Sequence, residues 1–355
     1  MNAPTEQMLT AAEFLEGVEL PGGWRVLKRA ATAPKGTGGH FSIPYIVERT
    51  DGKCKQQAFL KALNLRMIAN SPDFARDMQR HMEAFNFERD TLAVCRSKRL
   101  KRVATLLDAG EYRAPNSMLP VCYIIFELAG GGDARHQLAK LGRLELAWTL
   151  RTLHHIATAL KQLHQAGIAH QDLKPSNVLF FEAFGAKVGD LGCADRQERP
   201  EQSPRGGLKV AGDLVYAPPE LLYGEISADW NTRRLGCDLY LLGSMVVFFF
   251  TGGVSMTGAL MGKLHPHQRP MSWRQDYRSA LPYVSAAFEE ALDEVGQSIA
   301  SSVRPAVVEV IRQLCEPDPK RRGHSQNVDR SQFNLERFIS IFDLLATKAE
   351  HKLVS

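Results

Sequence analysis

Apolar and polar positions alternate in short runs over the first third of the chain and recur at helical spacing over much of the remainder. Between Trp24 and about Phe126, the stretches "WRVLKRA", "PYIVE", "QQAFLKAL" and "VCYIIFEL" read as strands, the first two flanking a glycine-rich loop. One helical stretch, from about Asp73 to Cys95, interrupts them. After "AGGGD" the period changes: "LELAWTLRTLHHIATALKQLHQAG" sets Leu146, Leu150, Leu153, Ile156, Leu160 and Leu163 on one helical face, and Gly167 supplies a C-terminal stop. The closing stretch "RSQFNLERFISIFDLLATK" aligns Phe333, Leu335, Phe338, Ile341 and Leu344 or Leu345, which predicts a helix completing the second part. A strand-rich part followed by a mainly helical one predicts an α+β fold of two lobes, with the seam near Glu127 to Asp133.

Composition narrows the class without changing that picture. A length of 355 residues suits two domains, and 44% hydrophobic against 23% charged residues marks a globular chain. The net charge of +5 neither demands nor excludes an anionic partner. Cys54, Cys95, Cys122, Cys193, Cys237 and Cys315 lie far apart with no C-x-x-C pair, so neither a zinc site nor a disulfide framework is expected and a reducing cytoplasm fits. The stretch "MNAPTEQMLTAAEFLEG" lacks the basic and apolar regions of a signal peptide. The apolar run from Leu239, "LYLLGSMVVFFFTGG", is expected to be a buried helix, being shorter than the roughly 20 residues that cross a bilayer. The basic run Arg96 to Arg102 has no interleaved aromatics and reads as a solvated loop, and "HPHQ" at His265 to Gln268 lacks further ligands for a metal.

The candidate chemistry lies in "HQDLKPSNVLF", His170 to Phe180. A hydroxyl attacking a phosphorus atom needs an acceptor for its proton, a cation for the developing charge and oxygen ligands for magnesium. Asp172, Lys174 and Asn177 offer these three in turn.

Those residues resemble the catalytic loop of the eukaryotic-type protein kinases, H-R-D-L-x-x-x-N, and the Lys-Pro after the Asp is similar to the serine/threonine-directed branch. Further matches follow in order. "KVGDLGCA" resembles the D-F-G element, "YAPPE" resembles A-P-E ending at Glu220, "CDLYLLG" resembles the buried helix whose Asp238 tethers the catalytic loop, and "DPKRRG" offers Arg322 as partner to Glu220. The resemblance implies a protein-kinase-like fold with a small antiparallel sheet lobe over 24–128 and a larger helical lobe over 129–348. Residues 1–23 are then an extension and 349–355 a tail. It implies ATP and Mg²⁺ as cofactors, with Asn177 and Asp190 as metal ligands. Gly36, Gly38 and Gly39 would hold the phosphates together with Lys61, which matches the V-A-I-K lysine. Glu127 and Ala129 would offer backbone groups to adenine, Asp133 would lie near the ribose, and Phe126 would stand beside the base. The acidic partner of Lys61 is Glu88 or Asp90, with Glu88 favoured by the helical offsets of Phe85, Leu92 and Cys95.

Several residues depart from the family pattern. Ser42 stands at the third glycine, Pro44 where a Val usually covers the base, and Phe59 at a small-residue position on the strand face of Lys61. Gln171 replaces the Arg that pairs with a phosphorylated activation loop, and between Asp190 and Glu220 the only hydroxyls are Ser203 and Tyr216. An activity independent of activation-loop phosphorylation is therefore expected. Asp213 stands where a Thr usually bridges the catalytic Asp and Lys, and is expected to anchor Lys174. The reading is a protein serine/threonine kinase that meets ATP and a protein substrate, with no nucleic acid and no membrane, its oligomeric state open. Its alternatives are a binding scaffold without turnover and a kinase for small molecules.

Overall fold

The computed structural model describes residues 11–30, 42–52, 54–68, 71–115, 117, 119–142, 144–198, 212–327 and 331–352. The chain divides into two compact units, one ending at Gly130 and the other starting at Gly131.

Among the described residues the first unit is a six-stranded antiparallel sheet with one long helix. Its elements are β1 (Glu19–Leu20), β2 (Trp24–Arg29), β3 (Ser42–Asp51), β4 (Cys54–Leu63), α1 (Phe74–Ser97), β5 (Leu106–Tyr112) and β6 (Val121–Glu127). The spatial order is β1-β2-β3-β4-β6-β5. Alternation sorts β4 into two faces. Ala58, Leu60 and Ala62 join Trp24, Tyr45 and Tyr123 in one core, whereas Leu63 joins Cys122 in a second cluster lined by Phe74, Met78, Met82 and Phe85 of α1. Phe59 and Lys61 share that helix-covered face by parity. Pro44 lies inside β3, opposite Lys61 on β4. It is tolerated because pairing with β2 ends at Arg29↔Tyr45, so the missing N–H falls where that ladder stops.

β5 is a strand that the alternation does not announce, since "LLDAGEY" mixes Asp108, Gly110 and Glu111 into the run. Pairing with β6, with a bulge between Leu106 and Asp108, is what makes it one.

The second unit is mainly helical. Its elements are α2 (Ala134–Leu141), α3 (Leu146–Gln165), β7 (Ile168–Ala169), β8 (Val178–Phe181), β9 (Gly185–Val188), β10 (Asp195–Arg196), α4 (Pro219–Leu222), α5 (Gly236–Thr251), α6 (Met256–Lys263), α7 (Tyr277–Gln297), α8 (Arg304–Leu314) and α9 (Glu336–Glu350). The expected stripe on α3 is buried from Leu150 to Leu163, while Leu146 at the first turn is only half-buried. α5 is buried from Gly236 to Phe249, so it is a core helix covered on all sides, with Asp238 as its one buried charge. With the π turn Asn231–Leu235 before it, the continuous helix has 21 residues, long and apolar enough to cross a membrane, and 83% of its most apolar window is buried inside the protein. Burial, rather than the short length expected from the apolar run, makes it a core helix. Its Gly243 permits the close approach of α8's end, since a Cβ there would sit 2.3 Å from Cys315 Sγ.

Candidate active site

The second unit carries the loop between β7 and β8. Pro175 opens a 3-10 turn through Asn177, its fixed φ suiting the first turn position, and β8 returns as a hairpin with β9. The Gly189 N–H donates to the Asn177 carbonyl at 2.8 Å, which pins the residue before Asp190 beside the loop. Gln171 and Asp190 both have left-handed backbones, φ 65° and 60°. Such conformations persist in non-glycine residues where neighbours over-determine them.

Asp172, Lys174 and Asn177 come together and are all buried. Asp172 Oδ2 lies 3.0 Å from Lys174 Nζ and accepts from Asn177 Nδ2 at 3.3 Å, and Oδ1 accepts from the Asp213 N–H at 2.9 Å. A carboxylate has about four lone-pair directions, so one remains for an incoming hydroxyl. Burial pushes the Asp172 carboxyl above the ordinary carboxylate value; the Lys174 ammonium pulls it down, and the nearby charge of Asp190 pushes it up again. Lys174 also lies 3.8 Å from Asp213 Oδ2, which places the cation between two anions. Asp213 Oδ1 accepts from the Val215 N–H, holding the turn that carries it. Gly212 sits against the loop so closely that a Cβ would lie 2.4 Å from the Gln171 carbonyl and 2.7 Å from Asp172 Oδ1.

Beneath the loop stands Asp238 on α5. Its carboxylate accepts from the His170 N–H at 2.7 Å and the Gln171 N–H at 2.8 Å, with His164 Nε2 at 2.9 Å. Burial alone would raise its carboxyl, but these partners hold it below the ordinary value. Glu220 meets Arg322 in a buried two-pronged pair, 2.7 and 2.8 Å. These pairs join segments 68 and 102 residues apart.

In the first unit, Lys61 Nζ binds Glu88 Oε1 at 2.9 Å, while Asp90 turns outward to Arg89. The face parity of β4 and the packing of α1 bring that pair together. The Phe126 ring centroid lies 5.9 Å from Lys61 Nζ, and Phe59 pairs with Phe126 across β4 and β6. The Glu127 N–H is taken by the Thr105 carbonyl, and Glu127 Oε1 accepts from the Thr105 N–H. Ala129 lies half-buried just after β6. Asp133, in the second unit, caps α2 through the His136 N–H and pairs with Arg135. Gly36, Gly38, Gly39 and Ser203 lie outside the described residues.

Among the described residues no group of three or more His, Cys, Asp and Glu side chains is arranged to hold a metal. Magnesium bound with a nucleotide requires less, one or two protein oxygens completed by water and phosphate. The carboxylate of Asp190 and the amide oxygen of Asn177, whose nitrogen is engaged by the Asp172 carbonyl at 2.7 Å, fit that demand.

The local spacing of 172, 174 and 177 made these residues legible. His164, Asp195, Trp230 and Arg234, which brace the loop from other segments, carried no local signal.

The family model described as the protein kinase domain matches residues 53–333. Similar curated proteins include the CBL-interacting serine/threonine-protein kinase 7 of Arabidopsis thaliana, 34% identical over 184 residues, 51% of this chain and 39% of that protein. The protein kinase and PP2C-like domain-containing protein of the same organism is 29% identical over 187 residues, 49% of this chain and 27% of its own. The hormonally up-regulated neu tumor-associated kinase of Mus musculus is 27% identical over 208 residues, 58% and 25% respectively. The matched region thus spans less than two fifths of each relative.

Proposed function

The chain belongs to the protein kinase domain family, and from that premise we propose that it is a serine/threonine kinase using ATP with Mg²⁺. The observation that carries the proposal is the buried Asp172 carboxylate, clasped by Lys174, Asn177 and the Asp213 N–H with one direction left open.

In the proposed reaction the substrate hydroxyl gives its proton to Asp172 as its oxygen bonds to the γ-phosphorus. The bond from that phosphorus to the β–γ bridging oxygen breaks, and ADP leaves with the electron pair. Lys174 offsets the charge gathering on the transferred oxygens, and Lys61, steadied by Glu88, binds the α and β phosphates. Asp190 and Asn177 would hold the magnesium that comes with the nucleotide, which would supply positive charge against the phosphates. Serine/threonine direction is supported by the Lys174-Pro175 pair and by the similarity to a serine/threonine-protein kinase of Arabidopsis thaliana. Independence from activation-loop phosphorylation is supported by the neutral Gln171 and the scarcity of hydroxyls between Asp190 and Glu220. The wide spacing of the six cysteines, with no C-x-x-C pair, supports a reducing, cytoplasmic setting.

Two measurements test this. The melting temperature of the chain should rise with ATP and Mg²⁺, and labelled phosphate should pass from ATP to the chain itself or to a generic basic protein. Asp172→Asn should abolish transfer while keeping the thermal shift, and Ser203→Ala should leave transfer intact. Binding without transfer in the unaltered chain would make it a scaffold.

A further inference from the structure

Two buried charges of the helical unit have no part in the chemistry above. Arg234 and Asp195 are each 2% exposed, and Arg234 Nη2 lies 2.8 Å from Asp195 Oδ2. Arg234 Nη1 donates to Gln171 Oε1 at 3.2 Å. Gln171 Nε2 donates in return to the Arg234 carbonyl at 2.8 Å and to Asp238 Oδ1 at 3.0 Å. Trp230 Nε1 donates to Asp195 Oδ1 at 3.2 Å. The bridge ties the loop that carries Asp172 to the strand five residues beyond Asp190 and to the turn that leads into α5.

Its geometry narrows what residue 171 can be. The position needs an acceptor toward a guanidinium and a donor toward a carboxylate. Glutamine has both, whereas Arg and Lys have no acceptor and an ionised Glu has no donor. A guanidinium at 171 would also face that of Arg234, like charges in a site closed to water. The amide orientation follows from the same contacts, because reversing it would set NH₂ against the guanidinium and oxygen against the Asp238 carboxylate. The backbone on both sides is irregular as well. Arg234 sits in a π turn, closed by the Gly236 N–H on the Asn231 carbonyl, and such turns recur at functional sites. Gln171 is held in its left-handed conformation by the bonds just described.

We infer that Arg234 is a positioning residue that fixes the catalytic loop through Gln171, with Asp195 as its built-in counter-charge. The ordering cation and anion are both supplied by the chain, so the loop is set without an added phosphate. This inference rests on the kinase reading and deepens it by assigning the device that replaces phosphorylation.

The test uses the full chain with Asp195→Asn and Arg234→Met combined, which removes both charges and orphans neither. Phosphotransfer to a generic basic protein and hydrogen exchange over residues 168–175 are read together. The expected result is a kcat lower by about tenfold or more, with KM for ATP within about twofold, because a small displacement of a reacting group is costly. Exchange over 168–175 should quicken while that of α3 is unchanged. Arg234→Lys, keeping the charge without the two-sided fork, should fall between. Unchanged exchange over 168–175, or an unchanged kcat in an active enzyme, overturns the inference, as does loss of protection throughout the helical unit. If the unaltered chain transfers no phosphate, the kinase reading fails and the exchange measurement still decides the bridge.

Discussion

Around Asp172 the electrostatics are a contest between burial, which favours the neutral acid, and Lys174, which favours the carboxylate. A proton acceptor works only when ionised, so activity should fall on the acid side as Asp172 protonates. Lys174→Met removes the cation that lowers the carboxyl's pKa. The acid limb of kcat/KM should therefore move to higher pH, which a pH-rate profile checks directly. Asp213→Ala acts one step further out. It frees Lys174 from its second anion but keeps the backbone N–H that binds Asp172, so turnover should drop by about tenfold rather than vanish. Gly212→Ala probes contact instead of charge. The new methyl would strike the Gln171 carbonyl and Asp172 Oδ1, so kcat should fall while overpacking costs about 1–3 kcal/mol in urea unfolding.

At the scale of elements, the apolar pattern sufficed where a run or a stripe is continuous and failed where polar residues interrupt it, as in β5. The strands β2, β3, β4 and β6 and the helices α1 and α3 follow from apolar runs, alternation and helical spacing. In α9 the consecutive apolar residues allow several stripes. The buried ones are Phe338, Phe342, Leu345 and Ala346, not Ile341 or the exposed Leu344. Partners outside the element choose that face: Arg151 of α3 pairs with Asp343 and Glu350, and Lys161 with Glu336. The pair that joins α4 to the chain beyond α8 was legible only through the resemblance, since Glu220 and Arg322 are 102 residues apart. Arg322 is fully buried and also donates to the carbonyls of Gly236 and Glu316. Arg322→Met should strand the Glu220 charge and destabilise the chain by about 3–5 kcal/mol, whereas replacing both residues by apolar ones should recover part of that loss. Denaturant midpoints of the single and double variants separate these outcomes.

Across the whole molecule the buried charges are unevenly distributed. Asp172, Lys174, Asp195, Glu220, Arg234, Asp238 and Arg322 all belong to the helical unit, while the sheet unit's Lys61 and Glu88 remain partly exposed. The site was legible in the sequence to the extent that its residues are close in the chain. Of its bracing, Asp238 was legible through the resemblance, whereas Arg234 and Asp195, which meet only through the fold, were not. That distribution gives the helical unit a distinct response to acid. The carboxyl of Asp238 is held below its ordinary value, so its contribution to stability is fully present above the unfolded pKa and is lost as pH falls through the folded one. The raised carboxyl of Asp172 works with the opposite sign, since its ionisation opposes the fold and acid relieves that cost. Asp238 should dominate below the usual aspartate range, because four donor contacts from His164, His170 and Gln171 converge on it. Urea midpoints at about pH 7 and about pH 3, with hydrogen exchange read on α5, should show the helical unit weakening in acid. In Asp238→Asn the same unit should be less stable at neutral pH and vary less between the two pH values. An equal slope in both proteins would place the acid sensitivity elsewhere.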